Sequence, residues 1–91
     1  MPKTPHQQSE PPKKRILIVD DHPILRAGLI GLVNIEKDLT VCGEAQDAAE
    51  ALTALEQLAP DLILLDMSLP GKGGLELLKD IRAVSPQTPV L

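Results

Sequence analysis

Two short, uninterrupted apolar runs constrain the fold of this chain more than any other feature. Residues 16–19 and Leu62–Leu65 consist only of Leu, Ile and Val, and a carboxylate follows each run directly. Runs of this length without polar alternation are typical of strands that are covered on both faces, as in a parallel sheet between helix layers. The sequence therefore predicts two central strands that deliver acidic side chains to their carboxyl ends.

The remainder of the chain alternates between helix and strand patterns. Residues 39–44 alternate apolar and polar side chains, which indicates an edge strand, and residues 89–91 look like the start of a fourth strand. A helical pattern follows each of the first three strands. Strands that alternate with helices through short links form parallel sheets with right-handed crossovers. We therefore expect one α/β domain of three layers, with three strand–helix units and the start of a fourth strand.

Local signals place the three helices. Proline is favoured at the first position of a helix, so Pro23 predicts the start of the first one. Asp47 and Glu50 have the spacing of a capping box at the start of the second helix, and Pro60 ends it. The third helix is predicted over residues 75–84, with a stripe formed by Leu75, Leu78, Ile81 and Arg82.

Three acidic residues gather at one end of the predicted sheet. Asp20 and Asp21 follow the first apolar run, and Asp66 follows the second. The carboxyl ends of parallel strands share one edge, where the functional groups of such sheets collect. Each acid taken alone is more often a turn residue. Together they would repel one another unless a cation lies among them, and Mg²⁺, which prefers carboxylate and water ligands, is the ion that this pattern favours.

Composition excludes several other roles. The 91 residues allow one domain, carry a net charge of −4 and include no aromatic side chain. Without aromatic residues, base stacking on single-stranded nucleic acid is disfavoured, and the acidic balance of the folded part argues against direct contact with DNA. Cys42 is the single cysteine, which excludes an internal disulfide and favours the role of a small buried side chain.

The N-terminal residues differ from the rest of the chain. Residues 1–13 are rich in proline and basic side chains, and such a composition buries too little apolar surface to offset the entropy of ordering. We therefore predict a disordered tail over residues 1–13 and an ordered domain over residues 14–91. No apolar run reaches the roughly 18 residues of a membrane span, and no apolar segment of a secretory signal is visible. These observations favour a cytoplasmic protein.

Two stretches carry a family resemblance. Residues 16–23 (ILIVDDHP) and residues 61–71 (DLILLDMSLPG) resemble the receiver domain of bacterial two-component response regulators. Residues 20–29 (DDHPILRAGL) are most similar to the NarL/FixJ subfamily, in which a receiver is joined to a LuxR-type helix-turn-helix domain. The resemblance covers the whole predicted domain, residues 14–91. It implies a flavodoxin-like (CheY-like) fold that is incomplete here, because it stops at the fourth strand.

The resemblance also implies roles for four residues. Asp66 would be the phospho-acceptor, which takes a phosphoryl group from a sensor histidine kinase. Asp21 and Asp66 would ligate Mg²⁺ directly, Asp20 would act through a bound water, and the backbone carbonyl of Ser68 would complete the protein ligands. The module would not be an enzyme, beyond losing its own phosphoryl group. It would control a C-terminal DNA-binding domain and thereby transcription.

Other parts of the family's machinery fall outside this sequence. The switch Ser/Thr, the phosphate-pairing Lys and the signalling face belong to later elements of a receiver, after Leu91 in this numbering. Lys72 lies in a loop and does not replace that lysine. The resemblance therefore implies Mg²⁺ binding and acceptor chemistry, but no phosphate-driven switch by this chain alone. We also expect an exposed sheet edge, covered only by residues 89–91, to favour a homodimer or a swapped association.

Two other functions stay open at this point. A receiver that is never phosphorylated would act only as a protein-interaction module. A phosphatase of the haloacid-dehalogenase type also uses a strand-end aspartate with Mg²⁺, but it needs an Asp-x-Asp pattern that residues 20–22 do not supply. His22 is compatible with a metal ligand or a base, although a loop residue before Pro23 is the commoner role for a histidine in this position.

Overall fold

The computed structural model describes residues 12–69, 71 and 73–91. Six elements alternate along the chain, namely β1 (Lys14–Val19), α1 (Pro23–Ile35), β2 (Leu39–Ala45), α2 (Ala48–Leu58), β3 (Leu62–Leu65) and α3 (Gly74–Val84). The strands form one parallel sheet in the order β2-β1-β3. The predicted α/β fold is thereby confirmed. The tail predicted over residues 1–13 stays a prediction, because residues 1–11 lie outside the described part of the chain.

Strand β1 lies in the centre of the sheet, as its apolar run predicts. It pairs with β2 on one side and with β3 on the other. Successive side chains of a strand point to opposite faces. Leu17 and Val19 accordingly join the cluster that packs under α2 and α3, while Ile16 and Ile18 are buried on the face that α1 contacts. The first apolar run is therefore covered on both faces.

The main hydrophobic core lies between the sheet and helices α2 and α3. On α3, the buried residues are Gly74, Leu77 and Ile81. The stripe predicted through Leu75, Leu78, Ile81 and Arg82 is confirmed at Ile81 and wrong at the other positions, because Leu75 and Arg82 are exposed and Leu78 is only partly buried. The backbone of Gly74 lies so close to the backbone of Met67 that a Cβ at this position would collide with it.

Helix α1 covers the opposite face of the sheet and begins at Pro23, as predicted. It has no fully buried residue. Its large apolar side chains that remain exposed are Ile24, Leu25, Leu32 and Ile35. One apolar side of this helix thus packs on β1 and β2, while a second lies at the surface of the described structure.

Of the two hydrogen bonds that make up the capping box predicted for α2, one forms. The Asp47 carboxylate accepts a hydrogen bond of 2.8 Å from the Glu50 N–H, as an N-cap residue does. The Glu50 carboxylate accepts from the N–H and side-chain amide of Gln46 instead of from Asp47. At the other end, Ala59 adopts the left-handed conformation with φ 47° before Pro60, so the helix ends where the proline predicts.

Residues 89–91 extend the sheet beside β3. The Ile63 N–H donates to the Pro89 carbonyl at 3.0 Å, and the Leu91 N–H donates to the Ile63 carbonyl at 2.9 Å. Val90 forms a parallel bridge with Ile63. The predicted start of a fourth strand is therefore confirmed. No helix in the described part of the chain is long and apolar enough to cross a membrane.

Candidate functional site

The carboxyl ends of β1 and β3 bring the three predicted acids together. The Asp66 N–H donates to the Val19 carbonyl at 2.9 Å, and the Asp20 N–H donates to the Ala45 carbonyl at 3.0 Å. The backbone of a neighbouring strand thus holds each of these acids at the sheet edge. One oxygen from each of the three carboxylates and one ring nitrogen of His22 all lie within 4.8 Å of one another. We call this group the acidic cluster.

Asp20 is the buried member of the acidic cluster, with 3% of its surface exposed. Its Oδ1 accepts a hydrogen bond of 2.7 Å from the His22 N–H. The Arg26 guanidinium donates to the Asp20 carbonyl at 2.6 Å and to the Glu44 carboxylate at 2.7 Å, which ties α1 to the strand ends. The sequence pattern did not predict a role for Arg26. Its only signal is its place one turn after His22, whose carbonyl accepts the Arg26 N–H.

Asp66 has two differently engaged oxygens. Its Oδ1 accepts hydrogen bonds from the Ser68 N–H at 2.9 Å and from the Ser68 hydroxyl at 2.7 Å. These two bonds, with a smaller contribution from His22, lower the pKa of Asp66 below its ordinary value. The carboxylate is therefore ionised at neutral pH. The Ser68 side chain donates to Asp66, a contact that the sequence pattern does not predict.

The imidazole of His22 lies inside the acidic cluster. Its Nδ1 is 2.8 Å from Asp20 Oδ1, 3.2 Å from Asp21 Oδ1 and 3.4 Å from Asp66 Oδ2. The hydrogen bond to Asp20 and the charge of Asp21 raise the pKa of His22. The interpretation of His22 as a loop residue is thus incomplete, because the side chain of this loop residue contacts all three acids.

Two carboxylate oxygens of the acidic cluster are left unsatisfied. Asp21 Oδ1 and Asp66 Oδ2 are buried and have no hydrogen-bond partner among the described residues. A buried acceptor without a partner costs about 1–3 kcal/mol, and more when it is charged. Oxygen atoms of this kind are the ligands that Mg²⁺ prefers. The donor set therefore fits a divalent, oxygen-preferring cation. Pro70 and Lys72 of the following loop lie outside the described residues.

Comparison with known proteins identifies the family. Residues 16–91 match the model of the response regulator receiver domain. The chain is 47% identical over 70 residues to the nitrate/nitrite response regulator protein NarL of Escherichia coli K12, which covers 77% of this chain and 32% of that protein. The chain thus spans about a third of the length of this curated relative.

Solved structures agree with this match. A LuxR-family two-component response regulator from Aurantimonas superposes with a TM-score of 0.82 and 37% identity, over 86% of this chain and 56% of that one. The receiver domain of the response regulator NarL from Mycobacterium tuberculosis gives a TM-score of 0.81 and 35% identity, over 88% and 64% of the two chains.

The match answers one of the two alternatives that the sequence left open. Receivers are not a catalytic enzyme family, which answers the phosphatase alternative. The matched residues include all four members of the acidic cluster and every described strand and helix from residue 16 onward. This chain, a partial CheY-like domain of three parallel strands and three helices, therefore belongs to the family of response regulator receiver domains, with homologues of the NarL type.

Proposed function

We propose that residues 14–91 form a phosphoryl-accepting receiver module in which Asp66 is the acceptor. One observation carries the proposal. The Asp66 carboxylate directly follows β3, its Oδ1 is held by Ser68, and its Oδ2 is buried without a hydrogen-bond partner among the described residues. A carboxylate that is ionised and held in one orientation has the properties of a nucleophile for phosphorus.

The proposed step is an in-line phosphoryl transfer. An Asp66 oxygen attacks the phosphorus of a phosphohistidine on a sensor histidine kinase. The new O–P bond forms as the N–P bond breaks, and the bonding electron pair leaves with the imidazole nitrogen, which then takes up a proton. The product on this chain is an acyl phosphate. The lowered pKa of Asp66 keeps its carboxylate ionised for the attack.

The acidic cluster would hold the Mg²⁺ that this chemistry uses. Asp21 and Asp66 would be direct ligands through their unsatisfied oxygens, Asp20 would act through a bound water, and the backbone carbonyl of Ser68 would be the remaining protein ligand. When bound, Mg²⁺ offsets the negative charge on the phosphoryl oxygens. Arg26 contributes by fixing the backbone of Asp20.

The partners proposed for this module follow from its family. A sensor histidine kinase would donate the phosphoryl group, and a C-terminal DNA-binding domain of the NarL type would use the phosphorylated state to control transcription. The printed name of the Escherichia coli relative is that of a nitrate/nitrite response regulator, and two other matched proteins are named as a transcriptional regulatory protein and a DNA-binding transcriptional activator. This chain itself would make no direct contact with DNA.

Phosphoryl acceptance is tested with acetyl phosphate and Mg²⁺. Intact mass spectrometry should show one added phosphoryl group on the wild type, and none on Asp66→Asn. Asp38→Asn removes the same charge from an exposed position outside the acidic cluster and should keep the modification. Mg²⁺ with beryllofluoride should raise the melting temperature of the wild type and of Asp38→Asn, but not that of Asp66→Asn. Absence of both the added mass and the melting shift in the wild type would favour a module that only binds other proteins.

Self-association through the sheet edge is a further part of the proposal. Val90 pairs with Ile63 on one side, and no described strand pairs with its other side. An uncovered strand edge favours pairing with a second chain. Sedimentation velocity at increasing protein concentration should therefore show a dimer. A monomer with a sharp melt that is independent of concentration would contradict this part.

A further inference from the structure

A groove lies at the end of the sheet opposite the acidic cluster, and we call it the basal groove. It has a volume of about 540 Å³ and lies between the C-terminal ends of α2 and α3. Its apolar wall is formed by Leu52, Leu55, Ala59, Pro60 and Val84. Val84 is 66% exposed, so part of this wall faces solvent. A mostly apolar concave surface of this size is typical of a binding site.

The polar groups of the basal groove favour a cationic occupant. Glu56 and Asp61 are the only charged residues among the described ones that line it, and both are exposed. Glu56 has no ion-pair partner within the described part of the chain. The hydroxyls of Ser85 and Thr88 bond each other at 2.6 Å and therefore need no ligand. An occupant that combines apolar side chains with one positive charge complements both the wall and the acidic rim.

The N-terminal segment joins the fold beside the basal groove. The Arg15 N–H donates to Asp61 Oδ2 at 2.8 Å, and the Asp61 N–H donates to the Arg15 carbonyl at 2.8 Å. The first strand thus begins in contact with a residue that lines the groove. The described part of the chain starts at Pro12. The eleven residues before it span up to roughly 36 Å when extended, so every one of them is close enough to reach the groove.

Residues 2–5 (PKTP) have the composition that the basal groove favours. Two prolines lie three positions apart with Lys3 between them. Such segments favour the polyproline II conformation, whose three residues per turn place Pro2 and Pro5 on one face. Because this conformation is already stiff, the segment loses little entropy when it docks in a groove. Residues 1–13 bury too little apolar surface to fold alone, and the wall of the groove supplies the surface that they lack.

We propose that residues 2–5 dock in the basal groove of the same chain, with Pro2 and Pro5 on the apolar wall and Lys3 beside Glu56. The tether makes this docking intramolecular and holds the segment at an effective concentration in the millimolar range. A contact too weak to bind a free peptide is therefore sufficient to hold the segment. The docked segment closes the groove to basic segments of other proteins, because both need the same wall and the same carboxylate.

The test attaches a nitroxide spin label to position 4 of the full chain, as Thr4→Cys in a Cys42→Ser background. The label broadens the backbone amide NMR signals of the residues near it. The signals of Val84 and Gln87, which line the groove, should broaden. The signal of Ile24, at the start of α1, should remain sharp. Broadening of none of these signals would overturn the proposal.

Charge reversal separates docking from chance proximity of a tethered label. Glu56→Lys should reduce the broadening by about twofold or more, because an attractive charge pair becomes repulsive. Lys3→Glu combined with Glu56→Lys should restore it. Glu76→Lys makes the same charge change at an exposed position in the first turn of α3 and should leave the broadening unchanged. Equal broadening in Glu56→Lys and in the unreversed chain would refute the role of this pair.

A mixed sample identifies which copy supplies the segment. Spin-labelled chains of natural isotope content are combined with ¹⁵N-labelled chains that carry no spin label. Sharp signals from Val84 and Gln87 in the mixture would support docking within one chain. Broadening in the mixture as strong as that in the doubly labelled chain would show that the segment of a second copy fills the groove, and would overturn the intramolecular proposal.

Discussion

Gly74 links the packing of α3 to the acidic cluster, because the backbone it approaches is that of Met67, which directly follows Asp66. A Cβ built on Gly74 would collide with the Cα of Met67 and would lie 2.9 Å from its carbonyl carbon and oxygen. Non-bonded heavy atoms are normally about 3.5–4.0 Å apart, so the contact is too short by about 0.6–1 Å. The atoms in contact belong to the backbone and cannot move aside by changing a rotamer. Gly74→Ala must therefore shift either α3 or the segment that follows Asp66.

The expected change in stability is the balance of two effects. Forced overpacking costs about 1–3 kcal/mol. Replacing glycine by alanine returns up to about 1 kcal/mol in the interior of a helix, and less at the first helical residue, where Gly74 lies. We therefore expect Gly74→Ala to lower the free energy of unfolding by about 1–2 kcal/mol, which lowers the melting temperature by roughly 4–16 °C in a domain of this size. Mg²⁺ affinity should fall as well, because Met67 directly follows Asp66.

Gly28→Ala provides the matched control. Gly28 also lies in a helix, but a Cβ built there has no neighbour within 4 Å. The same substitution should therefore raise the free energy of unfolding by about 1 kcal/mol and leave Mg²⁺ affinity unchanged. Urea denaturation followed by circular dichroism measures both variants. Equal stability of Gly74→Ala and the wild type, or a loss at Gly28 as large as that at Gly74, would refute the reasoning.

Three further predictions concern the core, a helix cap and the cysteine. Leu77→Ala should lower the free energy of unfolding by about 2–5 kcal/mol, because Leu77 is fully buried. Leu75→Ala, on the exposed face of the same helix, should cost less than about 1 kcal/mol. Similar losses of stability in Leu75→Ala and Leu77→Ala would contradict the burial of only one of these two faces. Asp47→Ala should cost about 1 kcal/mol in urea denaturation through the lost N-cap bond, whereas Asp47→Ser should retain most of the stability. Burial raises the pKa of the Cys42 thiol, so its thiolate fraction at pH 8 is reduced. A thiol reagent should therefore modify Cys42 more slowly in the folded chain than in the urea-unfolded chain. Equal rates of modification in the two states would contradict this prediction.

The sequence predicted the sheet because each of its local signals was compatible with one structure only. A run of four apolar residues, an alternating edge strand and a capping aspartate each favour one local structure, and parallel topology then places Asp20, Asp21 and Asp66 on one edge. The phase of α3 was not predictable in the same way. Leucines at positions 75, 77 and 78 allow two apolar faces, and their spacing alone does not select between them, whereas the structure buries Leu77 and exposes Leu75.

The sequence pattern does not predict the contacts of long polar side chains either. Arg26 links the Asp20 carbonyl to Glu44, which is eighteen positions away, and Glu50 bonds Gln46 instead of the N-cap residue. No periodicity encodes which acceptor such a side chain selects, because the choice depends on the distance between elements. The same holds for His22, whose ring reaches the acids only because the chain turns between β1 and α1.

The acidic cluster is a consequence of the order of the strands. Placing β3 beside β1 buries two apolar runs, and the carboxylates that follow these runs are then forced to share one edge. Asp20 is satisfied by the His22 N–H, but Asp21 and Asp66 each retain a buried oxygen that accepts no hydrogen bond from the described residues, and burial of such an acceptor destabilises the folded chain. A cation that binds only this folded arrangement stabilises it, by about 2.7 kcal/mol when its concentration is a hundredfold above its dissociation constant. Burial of the apolar strands and binding of a cation are therefore coupled, because one strand order produces both the core and the site.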